Sequence, residues 1–169
     1  SFTSKIQIKK KLKELGLLPL YTDSPNLPYI IKIMGFVFGD GYLQVEKNDQ
    51  VQFYGKKEDL EKIKQDIEKI GFKTGIYSRK RKYKIKTQYK EYEFERVEDM
   101  LKSQSSAFAV LLKFLGTPSE NKAKQDYSVP YWIMRSKLWQ KRLFLASLFG
   151  AELSSPKTMT HNRFNFYGL

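Results

Sequence analysis

Two residue types that build many active sites are almost absent from this chain of 169 residues, which contains no cysteine and one histidine, His161. Without cysteine there is no disulfide, thiolate zinc site or cysteine nucleophile, and a single histidine cannot supply a multi-histidine metal site. No apolar run reaches the ~18 residues of a membrane span, and no signal peptide is visible. We therefore expect an intracellular protein with no membrane partner, whose chemistry rests on carboxylates, lysines and a bound metal ion.

Positive charge is what the chain has in excess. Lysine and arginine number 31 against 18 acidic residues, which gives a net charge of +13, while 41% of the residues are hydrophobic and 15% are aromatic. The apolar content predicts a folded globular protein rather than a disordered tail. A basic surplus of this size favours a polyanionic partner, nucleic acid before a membrane surface.

The hydrophobic pattern predicts helices that alternate with β-hairpins. The predicted elements are a helix from about 29 to 40, a hairpin over 42–56, an amphipathic helix over 57–70, a second hairpin over 72–94, and helices over 95–103 and 106–115. This order predicts an α+β fold whose antiparallel sheet carries its helices on one face. We expect the other face to present these side chains to solvent: Gln52, Tyr54, Lys82, Lys84, Lys86 and Gln88.

The chain contains an internal repeat. The segment IMGFVFGDG at 33–41 is echoed by LASLFGAEL at 145–153, and VQFYGK at 51–56 is echoed by FNFYGL at 164–169. The offset is about 112 residues in both cases. Because order and spacing are both kept, the pattern indicates two copies of a unit in which a helix precedes a hairpin.

Each copy of the helix combines small residues with a terminal acid. Small residues recur four positions apart: Gly35 with Gly39, and Ser147 with Ala151. Because this interval lets helix backbones approach closely, we expect the two helices to pack along a shared seam. Asp40 and Glu152 then fall at matching helix ends, where two carboxylates and free carbonyl oxygens favour a divalent cation.

The first copy resembles the signature of the LAGLIDADG homing endonucleases. The GxxxGDG core of that family stands at Gly35, Gly39, Asp40 and Gly41. The second copy places Glu152 at the acidic position, and the likeness extends over the αββαββα order of about 28–116 and over 130–169. The resemblance implies a saddle-shaped antiparallel sheet that binds double-stranded DNA. It also implies that Mg²⁺, or another divalent cation, is held by Asp40 and Glu152.

The resemblance implies a domain organisation as well. We expect a basic N-terminal helix and loop over 1–28, a first repeat over 29–116, a linker over 117–129, and the incomplete start of a second repeat over 130–169. With its second repeat completed, the protein would be a monomer with pseudo-two-fold symmetry that cuts both strands of a DNA site. Members of the family are often associated with inteins or introns.

The resemblance also assigns roles to individual residues. Asp40 and Glu152 are the candidate catalytic acids, and Lys56 stands where the family often carries a basic active-site residue. The candidate DNA contacts are Gln44, Gln52, Tyr54, Arg79, Arg81, Lys82, Lys84, Lys86 and Gln88. A solvated cationic edge strand remains the alternative interpretation of residues 79–86, and Lys56 is equally compatible with a surface lysine that precedes a helix.

Other functions fit part of the same pattern. The leading hypothesis is a metal-dependent endonuclease specific for long double-stranded DNA sites. The alternative is a catalytically inactive protein of the same fold, which would act as a DNA-binding regulator or an intron-RNA maturase. The stretch TMTHN at 158–162 resembles an intein splicing signature, but Arg163 follows where a Ser, Thr or Cys nucleophile is required. We therefore do not predict self-splicing.

Overall fold

The computed structural model describes residues 2–46, 48–120, 122 and 126–152, and within these ranges the chain forms six α-helices and four β-strands. In chain order they are α1 (Phe2–Glu14), α2 (Leu27–Phe38), β1 (Tyr42–Gln44), β2 (Gln50–Gly55), α3 (Lys57–Lys69), β3 (Gly75–Lys86), β4 (Glu91–Ser103), α4 (Ser106–Phe114), α5 (Tyr131–Arg135) and α6 (Leu138–Glu152). The repeated strand at 164–169 and the TMTHN stretch lie outside the described residues. None of these helices is long and apolar enough to cross a lipid bilayer.

The four strands form one antiparallel sheet in the order β1-β2-β4-β3. Two hairpins, β1–β2 and β3–β4, join into a single sheet because β2 pairs with β4, while α3 connects them along the chain. From α2 to α4 the element order is αββαββα. The predicted α+β class and element order are therefore confirmed.

The two sides of the sheet differ in what covers them. Val51 and Phe53 of β2 and Leu101 of β4 are buried, and the strands that carry them contact α3 and α4. The intervening residues Gln52 and Tyr54 remain accessible to solvent. Since successive strand residues point to opposite sides, the sheet has a helix side, defined by Val51, and an open face, defined by Gln52.

Helix α2 lies at the centre of the core. Eight of its residues, from Leu27 to Phe38, are buried, and Pro28 occupies the first turn, where a missing N–H leaves no hydrogen bond unmade. A helix that is apolar on nearly every side must be covered on nearly every side. Helices α3 and α6 both contact α2 and provide that cover.

The contact between α2 and α6 brings the two backbones close together. A Cβ added to Gly35 would lie 2.7 Å from the carbonyl oxygen of Phe144 and 2.7 Å from Cβ of Ser147. The ring of Phe38 meets that of Phe144 edge to face, with centroids 5.3 Å apart. Only a glycine at position 35 leaves room for this approach, which accounts for a residue that otherwise weakens a helix.

The prediction of a helix over 95–103 is wrong, because these residues belong to β4. Phe94, Val97 and Leu101 recur at intervals of three and four, which is also the spacing of an apolar helical stripe. Pairing decides the outcome: every residue of β3 pairs with β4, and Tyr83 stacks on Phe94 with centroids 5.4 Å apart. Residues 79–86 and 91–98 extend past the end of β2, and this two-stranded extension is called the ribbon below.

Replacing Gly35 by alanine is expected to lower the free energy of unfolding by about 1–3 kcal/mol, because the added methyl group meets backbone atoms that cannot rotate away. Gly150→Ala in α6 is the matched control, since no described atom lies within 4 Å of an added Cβ there. Its higher helix propensity is expected to raise stability by up to about 1 kcal/mol. Urea denaturation measures both variants, and equal changes would contradict the close packing of α2 on α6.

Candidate functional site

The candidate site begins where α2 ends. After Phe38 the chain folds back, and the N–H of Gly41 donates to the carbonyl of Phe36 at 3.0 Å. A Cβ on Gly41 would lie 2.6 Å from Cα of Val37, so a side chain at this position would prevent such a close return. Asp40 precedes Gly41 in the turn and is exposed to solvent. The turn therefore presents the candidate catalytic carboxylate beside the carbonyl end of α2.

A lysine from the linker occupies this carbonyl end. Lys122 Nζ donates to the carbonyl oxygens of Val37 at 2.9 Å and Phe38 at 3.3 Å, and also to that of Gly39. The last turn of α2 contains no basic residue of its own. Because the carbonyl end of a helix carries a partial negative charge, the ammonium group satisfies these acceptors and neutralises the helix end.

Asp40 and Lys122 border one cleft of about 750 Å³. The same cleft is lined by a second acid, Glu120, whose backbone adopts a left-handed φ of 62°. The N–H of Glu120 donates to the carbonyl of Leu43 at 2.6 Å, which fastens this part of the linker to β1. The remaining lining residues are Gly39, Gly41, Tyr42 and Tyr127. An acid, a cation and a helix end therefore share one solvent-filled space.

Sequence reasoning missed both Lys122 and Glu120. They lie in the polar segment predicted as a linker, where no local pattern distinguishes them from their charged neighbours. The sequence feature that could have indicated a role for Lys122 is the last turn of α2, which contains no basic residue and leaves its carbonyl end for a cation from elsewhere in the chain.

The second candidate acid, Glu152, is the last residue of α6, and its side chain lies outside what the structure describes. Its pairing with Asp40 therefore stays a prediction. Across the described ranges, no group of three or more Asp, Glu or His side chains is placed to hold a metal ion. The Asp40 carboxylate still suits a hard cation, because carboxylate oxygens are ligands that Mg²⁺ and Ca²⁺ prefer, whereas the carbonyl oxygens at the end of α2 already accept from Lys122.

The four small residues of the motif helices have different environments. Gly35 lies against Ser147, which is buried and whose hydroxyl donates to the carbonyl of Leu143 at 2.9 Å. Gly39 follows the last residue of α2, and its N–H donates to the carbonyl of Gly35 at 3.1 Å. Ala151 belongs to α6, but its side chain is not among those described. The structure thus places the seam contact at Gly35 and Ser147.

Five of the candidate DNA contacts share the open face: Gln44, Gln52, Tyr54, Arg79 and Arg81. Tyr54 pairs with Met100, and Met100 pairs with Tyr77, so the odd-numbered residues of β3 lie on this face. The hydroxyl of Tyr54 donates to Oε1 of Gln52 at 2.6 Å. Oε1 of Gln44 accepts from the amide of Gln50 at 2.7 Å. These hydrogen bonds hold the polar side chains in fixed orientations.

The expectation that Lys82, Lys84 and Lys86 share this face is wrong, because the even-numbered residues of β3 lie on the helix side. Each of these lysines is paired across the ribbon with a glutamate. The pairs are Lys82 with Glu95 at 3.6 Å, Lys84 with Glu93, and Lys86 with Glu91 at 3.4 Å. Gln88 lies in the turn at the ribbon tip instead of on a strand. On this side of the ribbon, the positive charges of these three lysines, called the ladder lysines below, are thus balanced by glutamates.

A basic cleft of about 670 Å³ lies at the base of the ribbon, where β2 ends and β4 continues. Its positively charged lining residues are Lys56, Arg79, Arg81 and Arg96. Lys56 precedes α3 in an extended conformation, and it is not among the residues that line the cleft of Asp40. Sequence reasoning missed Arg96 because it assigned residues 95–103 to a helix.

One carboxylate organises the open face of the ribbon. Glu98 accepts hydrogen bonds from the hydroxyl of Tyr83 and from Arg79 at 3.4 Å, and it forms an ion pair with Arg81 at 3.2 Å. The Tyr83 hydrogen bond, followed by the positive charges of Arg81 and Arg79, lowers the pKa of Glu98 below its ordinary value of 4.5. Glu98 therefore holds the side chains of both strands in one cluster.

No protein-family profile matches the chain. Curated relatives from Methanocaldococcus jannaschii do match. A tRNA-splicing ligase RtcB is 45% identical over 86% of this chain and 16% of its own length. The RNA polymerase subunit Rpo1N is 33% identical over 94% of the chain and 12% of its length. The replication factor C small subunit is 30% identical over 90% of the chain and 8% of its own length. The chain thus spans about a sixth or less of these relatives.

Among solved structures, the homing endonuclease I-WcaI bound to its DNA recognition sequence resembles the chain with a TM-score of 0.44 and 16% sequence identity. The superposition covers 80% of this chain and 61% of that structure.

Replacing Lys122 by methionine keeps much of the side-chain length and removes the charge from the end of α2. We expect the free energy of unfolding to fall by about 0.5–2 kcal/mol, the range for a partly buried cation at a helix C-terminus. Lys9→Met is the control, because Lys9 is exposed on α1. Chemical denaturation compares the two, and a Lys122→Met variant as stable as the wild type would show that the cap contributes nothing.

The lowered pKa of Glu98 predicts a pH dependence. Its contribution to stability is fully present above its unfolded pKa and is lost as the pH falls through the lower folded pKa. In Tyr83→Phe the largest cause of the shift is gone, so the pKa of Glu98 is expected to rise towards 4.5 and the loss of stability in acid to shrink. Carboxyl NMR titration measures the change. Tyr77→Phe on the same face is the control, and identical Glu98 titrations in both variants would rule out this assignment.

Proposed function

We propose that this chain is the first repeat and the start of the second repeat of a LAGLIDADG-type homing endonuclease, which binds double-stranded DNA and hydrolyses phosphodiester bonds. The observation that carries the proposal is the end of α2. Its GxxxGDG residues form a close helix contact through Gly35 and then expose Asp40 beside carbonyl oxygens that attract a cation. Gly35 allows the close packing of α6, Gly41 allows the tight turn after α2, and Asp40 presents its carboxylate to solvent in that turn.

The variety of proteins that contain a similar segment indicates that the segment is a unit separate from the proteins that carry it. Nearly the whole chain matches proteins of one organism that carry three unrelated names, yet the match covers 16% of one, 12% of another and 8% of the third. A segment shared by a ligase, a polymerase subunit and a replication factor subunit is expected to have a function of its own. We infer that it belongs to an intervening element carried by different host proteins, as expected for an endonuclease associated with an intein.

In this proposal, Asp40 and Glu152 hold Mg²⁺ or another divalent cation, which when bound supplies a Lewis acid and an activated water for attack at phosphorus. Asp40 brings its carboxylate to the cleft without help from neighbouring strands, because the turn after α2 already exposes it. Lys122 neutralises the end of α2 and opposes the negative charge that develops on a reacting phosphate. Both side chains therefore act at the same cleft.

The open face is proposed as the DNA-binding surface. Gln44, Gln52 and Tyr54 offer hydrogen-bonding groups suited to base edges, while Arg79 and Arg81 provide charge for phosphates. Lys56 lies in the basic cleft and is proposed as a further phosphate contact. The ladder lysines contribute less, because their charges are already compensated by glutamates.

The proposal is tested with the chain together with any flanking sequence that its gene encodes, on supercoiled plasmids that carry an uninterrupted host coding sequence. With Mg²⁺ we expect the wild type to linearise the plasmid. Asp40→Asn and Glu152→Gln are expected to slow cleavage by roughly two orders of magnitude or more while DNA affinity stays within a fewfold of wild type. Asp23→Asn, an exposed acid in another loop, is the matched control.

Two outcomes would overturn parts of this proposal. Cleavage by Asp40→Asn at the wild-type rate would remove Asp40 from the catalytic site. Salt-dependent DNA binding by the wild type with no nicking at any divalent-cation concentration would support the catalytically inactive regulator or maturase instead.

A further inference from the structure

The two faces of the ribbon differ in how their charges are balanced. On the helix side, three of the four lysines face a glutamate directly across the strand pair, so this side is close to neutral. On the open face there are three arginines, Arg79, Arg81 and Arg96, and one carboxylate, that of Glu98, which pairs with Arg79 and Arg81. The larger excess of positive charge therefore lies on the open face at the base of the ribbon, while the helix side retains one lysine, Lys80, opposite the uncharged Val97.

The centre of this excess is a pair of arginines. Arg81 and Arg96 are direct partners in the β3–β4 register, so their side chains leave the sheet side by side. Arg81 turns towards Glu98, with Nε 3.2 Å from the carboxylate. The side chain of Arg96 makes no hydrogen bond or ion pair with any residue in the part of the chain that the structure describes. One carboxylate thus serves Arg79 and Arg81, while Arg96 faces Arg81 without a counter-charge.

Like charges placed directly opposite each other destabilise an antiparallel pair. The neighbouring positions of β4 show that the ribbon accommodates glutamate readily, since Glu91, Glu93 and Glu95 face the ladder lysines. An arginine at position 96 therefore raises the free energy of the unbound protein, unless an anion enters between the two guanidinium groups. The surroundings leave space for one, because β2 ends at Gly55 and the basic cleft opens beside Arg96.

We propose that Arg81 and Arg96 form a clamp for one backbone phosphate of bound nucleic acid. The inference rests on the proposed DNA-binding function and specifies which chemical group this part of the surface binds. A phosphate fits better than a base edge, because a base edge is uncharged and would leave the repulsion between the arginines in place. Two guanidinium groups can each donate paired N–H bonds to phosphate oxygens. Lys56 and Arg79 line the same cleft and add further positive charge.

The test measures affinity for a random-sequence DNA duplex over a salt series from about 50 to about 200 mM. Arg96→Gln is expected to lower the slope of log affinity against log salt by about 0.9, the value for one lost phosphate contact. Lys84→Gln is the matched control: it removes the same net charge from the helix side, where Glu93 already compensates it, and is expected to change the slope much less than Arg96→Gln. Without DNA, Arg96→Gln is expected to unfold at a higher urea concentration than the wild type, because the arginine repulsion is relieved.

The outcomes separate this inference from the proposed function. If the wild type binds DNA with a steep salt dependence and Arg96→Gln has the same slope, the clamp is wrong and DNA binding stands. An unchanged slope with weaker binding to only some sequences would make Arg96 a base-reading residue and also overturn the clamp. A wild type without salt-dependent DNA binding would overturn both. Arg81→Gln is a second variant, and it should reproduce the slope change even though it also loses the ion pair with Glu98.

Discussion

The contact of Gly35 with α6 determines where the rest of the candidate site can lie. Helices α6 and α3 cover most of α2, and only four of its residues remain partly exposed along its length: Pro28, Tyr29, Lys32 and Phe36. Its polar backbone can meet solvent, cations or substrate only at its ends. The carbonyl end of α2 therefore carries the partial negative charge of the helix, and its carbonyl oxygens that lack a partner within the helix are accessible to solvent and cations. Asp40 is placed at that end, and the ammonium of Lys122 is drawn to it.

The ribbon separates two uses of charge that look alike in the sequence. Lysines and arginines alternate along β3 with little to distinguish them. The register with β4 sends the ladder lysines to one side, where they stabilise strand pairing, and sends Arg79 and Arg81 to the other, where positive charge remains in excess. A one-residue shift of the register would exchange these roles completely. Two contacts favour the observed register: the stacking of Tyr83 on Phe94 and the hydrogen bond from the Tyr83 hydroxyl to Glu98.

Local patterns in the sequence predicted the parts of the fold that depend on local interactions. The apolar run of α2, the amphipathic pattern of α3 and the turn between β1 and β2 were all predicted correctly, and so was the close helix contact at Gly35. The catalytic role of Asp40 stays a prediction. The strand β4 was not predicted correctly, because Phe94, Val97 and Leu101 fit a helical stripe as well as a strand, and only pairing with β3 distinguishes the two. Lys122 and Arg96 were missed for a related reason: each acquires its role through residues that are distant in the chain or on a partner strand.

The hydrogen bond from Glu120 to Leu43 has a mechanical consequence. Leu43 precedes Gln44, which lies on the open face, and Glu120 lies two positions before Lys122, which caps α2. The edge strand that would meet DNA and the cation beside Asp40 are thus coupled through one backbone hydrogen bond and a few peptide units. Under the proposed function, a displacement of β1 on DNA binding would be transmitted to the linker through this hydrogen bond and so to the ammonium group at the carbonyl end of α2. The proposed DNA-binding face and the charge at the end of α2 are therefore structurally connected.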